Sequence, residues 1–174
     1  MNNSFVLTVD NFFTKKECKD LLKTYKVNLK LEEKLGYLYN EIIIQEFKFL
    51  DKLLKLINLY KKTYPEVDMT ASGWALTNLR FKLFKKGKSF KNFHSEVNLA
   101  NPTRLLSLQV YLTEHECGTE FFRDKKVIKS KAGRVCLFPA YFTHTHKGQP
   151  DFKKERCIIT GYYSFCKKGV TEIN

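Results

Sequence analysis

The 174-residue sequence has few of the features that mark disulfide-rich, zinc-binding or membrane-spanning proteins. Its five cysteines are an odd number, widely scattered and without a C-x-x-C pair, so neither a disulfide framework nor a zinc knuckle is indicated. No stretch approaches the ~20 apolar residues of a membrane span, and the N-terminal residues do not form a secretion signal. We therefore expect a soluble, unexported protein in the reducing cytoplasm, with no membrane partner.

Acidic residues are also scarce, 18 against 31 lysines and arginines, which leaves a net charge of +13. Clustered cations attract anionic partners such as nucleic acids. However, only five of the basic residues are arginines, the side chain best suited to bidentate recognition of phosphates and bases. Lys, Asn, Ile, Phe and Tyr are abundant together, as an A/T-rich genome would also encode. Composition bias is the favoured explanation, and a nucleic acid partner is the less favoured alternative.

A hydrophobic content of 43%, with 14% aromatic residues, is enough to close one core. We predict a single domain over residues 1–174, in which 1–70 form a helical support with one strand and 71–168 form a β-rich core. Residues 4–9 are the predicted strand. Thr14 and Glu17 form a capping box that starts a helix to about Tyr25.

A second, longer helix is predicted from about Asn40 to Tyr64. Pro65 ends it, and its apolar residues recur at helical spacing: Ile43, Phe47, Leu50, Leu54, Ile57 and Leu59. The sequence then changes to short apolar or alternating runs that predict strands at 79–84, 105–113, 127–128, 134–138 and 157–165. Two helices followed by about eight strands predict a mainly β, α+β fold, a sandwich or barrel supported by N-terminal helices.

Candidate metal ligands begin with His94 and Glu96. A spacing of two directs both side chains to one face of a strand. With a second histidine from a distant strand they would form the two-His-one-carboxylate triad of non-haem iron oxygenases. Taken alone, this pair is a weak signal, and a surface histidine beside a solvated glutamate is its commoner explanation. His144 and His146 compete for the third position, since both project to the same face of an extended segment.

The order of motifs along nearly the whole chain resembles the prolyl-4-hydroxylase-like branch of the 2-oxoglutarate/iron(II)-dependent dioxygenases, especially members from phages and marine bacteria. The matching segments are Val9–Phe13, Tyr111–Thr113, Gly118–Phe121, Lys131–Pro139 and Phe138–Pro150. The resemblance implies a double-stranded β-helix core, the cupin-like jelly roll, and a location in the host cytoplasm for a virus-encoded member.

The resemblance also implies an iron(II) site formed by His94, Glu96 and His146. In the family, the distal histidine is followed four residues later by Pro and about ten residues later by the basic residue that binds 2-oxoglutarate. Pro150 and Arg156 reproduce both intervals from His146, and neither interval fits from His144. His144 then lies behind the metal ligands or on the substrate side, and His115, in a polar turn, is expected to be solvated.

Co-substrate binding is implied for Arg156, which would hold the distal carboxylate of 2-oxoglutarate together with the Tyr111 hydroxyl. Strand alternation places residues 156, 158, 160 and 162 on one face, so Thr160 would contact the co-substrate or a water near the metal. Two alternatives remain. Arg156 could instead pair with Glu155 or Asp151 at the surface, and Tyr111 could be an ordinary core aromatic.

The implied reaction consumes O₂ and 2-oxoglutarate, releases succinate and CO₂, and hydroxylates a C–H bond, with ascorbate as a supporting reductant. The expected substrate is a peptidyl, prolyl-like residue or a small amino-acid-like molecule. The alternatives are oxidation of a nucleic acid base and a non-catalytic cupin-like binding module. The oligomeric state is left open.

Several positions depart from the family pattern. The carboxylate is Glu96 where most members have Asp, Phe84 stands where prolyl hydroxylases often have Tyr, and Thr113 replaces Asn. These changes weaken prolyl hydroxylation as the specific reaction. The basic and aromatic segment 80–93 predicts either a binding lip or a strand with a buried Phe81 and Leu83 face, followed by a solvated lysine loop.

Overall fold

The computed structural model describes residues 4–27, 29, 39–69 and 73–166. The ends of the predicted domain, 1–3 and 167–174, lie outside them, and the single domain stays a prediction. The described elements are β1 (Leu7–Val9), α1 (Lys15–Val27), β2 (Tyr39–Ile43), α2 (Leu50–Thr63), β3 (Gly73–Phe84), β4 (Arg104–Tyr111), β5 (Gly118–Phe121), β6 (Val127–Lys129), β7 (Val135–Pro139), β8 (His146–Gly148) and β9 (Arg156–Cys166). Short 3₁₀ helices occupy Pro65–Met69 and Phe142–His144.

The strands form two antiparallel sheets, which confirms the predicted mainly β class. The larger sheet has the order β1-β7-β4-β9-β3-β2, and the smaller has the order β6-β5-β8. Neighbours in the larger sheet are far apart in sequence, since β9 lies between β3 and β4. This pairing of distant strands is the arrangement that a jelly roll requires.

Alternation along β9 separates two environments. Cys157, Ile159 and Tyr163 pack in the main core beneath the helices. The intervening residues 156, 158, 160 and 162 line a cavity on the other face of the sheet. The predicted division of this strand is therefore confirmed, and it follows from the two-residue repeat of side-chain direction.

The helices cover the face of the larger sheet opposite the cavity. The predicted capping box is present, because the Thr14 amide donates to Glu17 Oε2 at 2.7 Å and the Glu17 amide donates to Thr14 Oγ1 at 3.2 Å. Helix α2 buries Leu53, Leu56, Ile57 and Tyr60. Within the described ranges, no helix is both long and apolar enough to cross a membrane.

The prediction of one helix from about Asn40 to Tyr64 is wrong over its first ten residues. Residues Tyr39–Ile43 form β2, which pairs with β3 in the register Ile42↔Phe81, and α2 begins only at Leu50. β-branched isoleucines favour a strand where a pairing edge is available. The predicted helix face was also misplaced, since Leu54 and Leu59 are exposed. The described part of residues 1–70 therefore contains two strands, β1 and β2, where one was predicted.

A bulge in β3 sets the direction of its second half. Thr77 pairs with Tyr162 and Arg80 pairs with Thr160, so two β3 residues lie opposite Gly161 alone. Asn78, in the bulge, has a φ of 52°, a left-handed conformation that Asn tolerates. A Cβ on Gly161 would lie 2.7 Å from Leu79 Cδ2, so the glycine makes room for the bulge. After the bulge, even-numbered β3 residues face the cavity.

Candidate metal centre

A cavity of about 400 Å³ opens between the two sheets, with walls from β3, β5, β8 and β9. Five of the six predicted site residues line it: His94, Glu96, His146, Arg156 and Thr160. The sixth, Tyr111, stands behind the wall, where its hydroxyl bonds to the wall residues Gln109 and Thr119. The structure thus brings the predicted residues into one region although they span more than 60 positions of the chain.

Backbone hydrogen bonds hold the three candidate ligands together. His94 lies in an isolated β-bridge to His146, with each amide donating to the other carbonyl, at 3.0 and 2.9 Å. The Glu96 amide donates to the Ala140 carbonyl at 2.9 Å. The pair His94 and Glu96 therefore belongs to a single bridged segment, where a full strand was expected, but the spacing of two still directs both side chains inward.

The candidate ligand atoms converge. Nε2 of His94 and Nε2 of His146 each lie 3.5 Å from Glu96 Oε1. One ligand atom from each of the three residues lies within 4.8 Å of the others. Two imidazoles and one carboxylate are the donor set that suits non-haem iron(II). The residues present therefore fit such a metal in both chemistry and spacing.

The second nitrogen of each imidazole is used to orient its ring. His94 Nδ1 donates to the Asn92 carbonyl and His146 Nδ1 donates to the His144 carbonyl, both at 3.0 Å. A carbonyl oxygen only accepts, so each Nδ1 carries the proton and each Nε2 presents its lone pair. Metal-binding histidines commonly have this arrangement, which fixes both tautomer and ring direction.

Glu96 is held as an ionised carboxylate. The Tyr162 hydroxyl donates to Glu96 Oε2 at 2.7 Å, and Arg104 Nη1 lies 3.6 Å from the same oxygen. Burial alone would raise the pKa of the Glu96 carboxyl, but its contacts with His146, His94 and Tyr162 hold that pKa well below its usual range. Oε1 is left facing the two histidines, as metal ligation would require.

Arg156 is buried, with 2% of its surface exposed, and its guanidinium lies 4.8 Å from the centroid of the Phe84 ring. The alternative of a surface ion pair is wrong, because Asp151 pairs with His115 and Glu155 pairs with Lys26. Burial lowers the pKa of Arg156. Its Nε has no hydrogen-bond partner among the described residues. Arg156 is therefore a cation that can donate hydrogen bonds to an anionic ligand in the cavity.

Thr160 and Tyr111 differ in what they offer to the cavity. Thr160 lines it, and its buried Oγ1 has no hydrogen-bond partner among the described residues. Tyr111 is fully buried in a smaller core cluster, and its hydroxyl donates to Gln109 Oε1 at 2.9 Å and contacts Thr119 Oγ1 at 2.8 Å. Any effect of Tyr111 on a cavity ligand therefore passes through Gln109 or Thr119.

The other two histidines lie elsewhere. His144 occupies the 3₁₀ turn, and its Nε2 donates to the Ser4 carbonyl at 2.7 Å, so it does not share the face of His146. The prediction that His115 is solvated is wrong. It is 5% exposed, its Nδ1 lies 2.6 Å from Asp151 Oδ2, and its Nε2 lies 2.8 Å from Thr113 Oγ1. The polar residues around His115 suggested exposure, but its partner Asp151 lies 36 residues further along the chain.

Two cavity residues beside Glu96 were not predicted individually. The predicted alternation of β9 placed position 162 on the same face as Arg156, and this signal could have identified Tyr162 as a partner of the carboxylate. For Arg104 the sequence held no such signal. Its guanidinium stacks 3.6 Å from the Tyr162 ring centroid and donates to the Glu96 carbonyl at 3.2 Å, contacts that exist only after β4 and β9 pair.

The basic and aromatic segment 80–93 divides between its two predicted roles. Phe81 is fully buried in the main core, Leu83 packs against that core, and Lys85, Lys86 and Lys88 are exposed, as the plain strand-and-loop alternative required. On the opposite face, however, Arg80 and Lys82 line the cavity. The strand therefore contributes both to the core and to the candidate site.

No family model matches the sequence, and a search of curated proteins finds no match either. Solved structures do match. A viral collagen prolyl hydroxylase from Paramecium bursaria Chlorella virus-1, in its 2OG complex, is 20% identical with a TM-score of 0.73, over 95% of this chain and 98% of that chain. At this identity the likeness establishes the fold.

Two further structures share the fold. A Trichoplax adhaerens prolyl hydroxylase, in complex with a hypoxia inducible factor peptide, is 15% identical with a TM-score of 0.66, over 94% of this chain and 84% of that chain. HygX from Streptomyces hygroscopicus, with nickel and 2-oxoglutarate bound, is 10% identical with a TM-score of 0.68, over 98% and 86%. The jelly-roll core expected from the sequence resemblance is confirmed.

Proposed function

We propose that the protein is an Fe(II)- and 2-oxoglutarate-dependent dioxygenase that hydroxylates a C–H bond of a peptidyl, prolyl-like or amino-acid-like substrate, with release of succinate and CO₂. The observation that carries the proposal is the convergence of His94, Glu96 and His146 in the cavity that also holds the buried Arg156. When bound, iron(II) with 2-oxoglutarate and O₂ supplies the oxidising chemistry. The chain supplies ligands, an anchor and an enclosed cavity.

In this proposal His94, Glu96 and His146 hold the metal through Nε2, Oε1 and Nε2. A metal held by only these three residues would still be able to bind the co-substrate and O₂. The Tyr162 hydroxyl and Arg104 engage the other carboxylate oxygen, Oε2, and so orient Oε1 toward the metal. The pre-set Nδ1 protons avoid the cost of reorienting the rings when the metal binds.

Arg156 is proposed to bind the distal carboxylate of 2-oxoglutarate. A planar guanidinium can donate two parallel hydrogen bonds to a carboxylate, and burial strengthens that pairing. Thr160, whose Oγ1 is buried on the same face, would donate a further hydrogen bond. Tyr111 would act indirectly. Its hydroxyl is hydrogen-bonded to Gln109 and Thr119, which also bond to each other, and both of these residues line the cavity.

The remaining walls exclude water from the co-substrate. Phe84 covers the Arg156 guanidinium, and Ile158 packs with Phe84 in the same apolar cluster. A dry wall on this side would limit access of water to the bound co-substrate. This is consistent with the departure noted from sequence, since a Phe at position 84 can shield the arginine but cannot donate a hydrogen bond.

Two of the structurally similar proteins support the substrate class, because one is a collagen prolyl hydroxylase and another is bound to a peptide. Base oxidation remains the second candidate, favoured by a surface on which Lys125 and Lys147 lie 4.7 and 4.4 Å from the ring centroids of Phe122 and Phe93.

All five cysteines are unpaired, which fits the cytoplasmic location that we propose.

The first test is anaerobic addition of 2-oxoglutarate to the protein with iron(II). We expect the weak visible charge-transfer band of a chelated keto acid, and we expect Arg156→Ala to raise the 2-oxoglutarate concentration needed by about tenfold or more. Exposed Arg123→Ala is the matched control and should leave that concentration unchanged. Failure of the wild-type protein to form the band would refute the dioxygenase proposal and favour a binding module.

The second test identifies the substrate class. Proline-containing peptides, free amino acids and native or alkylated oligonucleotides are incubated with iron(II), ascorbate and 2-oxoglutarate, and the products are weighed by mass spectrometry. Gain of one oxygen atom by a peptide or amino acid, with matching succinate release, supports the proposal. Oxidation of the oligonucleotides alone would transfer the function to the second candidate.

A further inference from the structure

The cavity carries more positive charge than the proposed co-substrate can neutralise. Its lining residues include four cationic side chains and one carboxylate. An iron(II) ion and the dianion of 2-oxoglutarate carry equal and opposite charges, so binding both leaves the excess in place. Arg156 is assigned to the co-substrate in the proposed function, on which this inference rests. Arg80, Lys82 and Arg104 remain.

These three cations line the same cavity, and we call them the β3 cation cluster. Arg80 and Lys82 project from the same face of β3 after its bulge, and Arg104 begins β4. Arg104 reaches the cavity from the other side of β9, beside Glu96. Burial is the main cause that lowers the pKa of Lys82, Arg80 and Arg104 lower it further, and Glu96 and Glu41 oppose the shift.

The two carboxylates near this cluster leave its pairing incomplete. Glu41 lies 3.9 Å from Arg80, a distance too long for a hydrogen bond. Glu96 lies 3.6 Å from Arg104, but its other oxygen faces the two histidines. The Nε atoms of Arg80 and Arg104 are buried without a hydrogen-bond partner among the described residues. Cations whose buried nitrogens lack a partner favour an incoming anion.

We propose that the β3 cation cluster binds a carboxylate of the substrate, so that the preferred substrate is a small molecule or peptide residue that carries a free carboxylate. A carboxylate in the cluster would lie across the cavity wall from Arg156, because Arg80 pairs with Thr160 and Phe84 pairs with Arg156 on adjacent strands. One end of the cavity would then hold the co-substrate, and the cluster would fix the substrate beside the metal ligands.

The carboxylate could come from a free amino acid or from an acidic or C-terminal residue of a peptide. The two sources share the same chemistry and are separated by the arms of the test below. An internal prolyl residue between neutral neighbours has no carboxylate, so it should be the poorer ligand. The inference thus narrows the substrate class of the proposed dioxygenase and adds three specificity-determining residues.

The test is calorimetric binding to protein already loaded anaerobically with iron(II) and 2-oxoglutarate, whose charge-transfer band is recorded first. The ligands are amino acids and their carboxamides, such as L-proline and L-prolinamide, and proline peptides with free, acidic or amidated C-termini. We expect at least one acid to bind about tenfold or more tightly than its amide, as a charge-assisted contact predicts. Absence of the band would refute the proposed dioxygenase function. It would also refute the inference, which requires a substrate bound beside iron(II) and 2-oxoglutarate.

Variants decide whether the cluster causes the preference. Lys82→Met removes the charge and keeps the length, and it should reduce the acid-over-amide preference to about twofold or less. Lys82→Arg should restore it. Exposed Lys86→Met is the matched control and should keep the wild-type preference. Thermal unfolding verifies that each variant is folded.

Three results would overturn the inference while leaving the dioxygenase proposal intact. In the first, the band forms but no acid binds more tightly than its amide. In the second, the preference persists in folded Lys82→Met. In the third, oligonucleotides or phosphate esters bind more tightly than every carboxylate. If Lys82→Met does not fold, Arg80→Met, at the other end of the β3 pair, takes its place with the same expected outcome.

Discussion

At the scale of single residues, the direction of each hydrogen bond separates His146 from His144. His146 uses Nδ1 to donate to a backbone carbonyl, which leaves Nε2 for the cavity. The Nε2 of His144 instead donates to the Ser4 carbonyl, and His144 lines a different pocket. Two histidines only two residues apart in the sequence therefore have different chemistry in the fold.

The first prediction uses this contrast. His146→Ala should lower the affinity for iron(II) by about a hundredfold or more, because one of three protein ligands is lost. His144→Ala is the control two residues away and should leave iron binding within about threefold of wild type. Equilibrium competition against a metal-sensitive dye measures both. Greater loss of iron binding in His144→Ala would reverse the assignment of the distal ligand.

The second prediction concerns Tyr162, which donates to the Glu96 carboxylate. Tyr162→Phe removes one hydroxyl and should lower iron affinity by about tenfold, since groups that orient a metal ligand typically contribute that much. Tyr163→Phe is the matched control on the opposite face. It loses a hydrogen bond to the Leu53 carbonyl and should cost about 1 kcal/mol of stability with unchanged iron affinity. Equal iron affinities for the two variants would contradict the assigned role of Tyr162.

At the scale of elements, close backbone approaches fix how the strands join. Gly133 precedes β7 with a φ of +86°, and a Cβ there would lie 2.0 Å from the Phe13 carbonyl oxygen. The Gly133 carbonyl accepts from the Phe13 amide at 3.0 Å. This contact attaches the segment before α1 to the larger sheet, so the helical layer depends on a turn more than 100 residues away.

The third prediction tests that contact. Gly133→Ala should destabilise the fold by about 3 kcal/mol or more, because the methyl group meets backbone that cannot rotate away and the left-handed φ adds strain. Gly87→Ala is the control, with a φ of +75° but only ordinary contact to Phe152 at 3.6 Å. It should cost about 1 kcal/mol. Urea unfolding gives both values, and equal costs would contradict the close approach at Phe13.

At the scale of the whole molecule, the buried His115 and the half-buried His144, both outside the metal centre, couple stability to pH. Burial lowers the pKa of His115 despite its contact with Asp151, and burial lowers the pKa of His144 despite its bond to Ser4. Below the ordinary histidine pKa of about 6.5, the unfolded chain therefore binds more protons than the folded chain. Stability then rises with pH across this range and is lost as pH falls.

The fourth prediction follows from that sign. The free energy of unfolding in urea, measured with a chelator present, should decrease as pH is lowered from about 7.5 to about 5. Replacing both histidines, in His115→Gln with His144→Gln, should make the decrease shallower. The pKa of Asp151 is lowered to about 2, where burial is outweighed by bonds from His115 and the amides of residues 153 and 154, so Asp151 contributes only at more acidic pH. An unchanged slope in the double variant would contradict the assignment.

Much of the fold was predictable because local rules were strong. The capping box at Thr14 defined the start of α1, and alternation in β9 correctly assigned residues 156, 158, 160 and 162 to one face. The helix predicted from Asn40 failed at β2, where an isoleucine run fits either structure and only pairing with β3 decides. The prediction that His115 is solvated failed for a related reason, since its burial depends on Asp151 from a distant loop.

The sequence by itself determined the donor types and their spacing: Glu96 is two positions after His94, and Arg156 is ten positions after His146. These intervals suffice because strand periodicity sets side-chain direction locally. Only the tertiary structure decided what surrounds them. Arg104 reaches Glu96 through pairing of distant strands, and the single extra residue in the β3 bulge turns Arg80 and Lys82 from the core side to the cavity. Such contacts depend on register between strands, which no local pattern encodes.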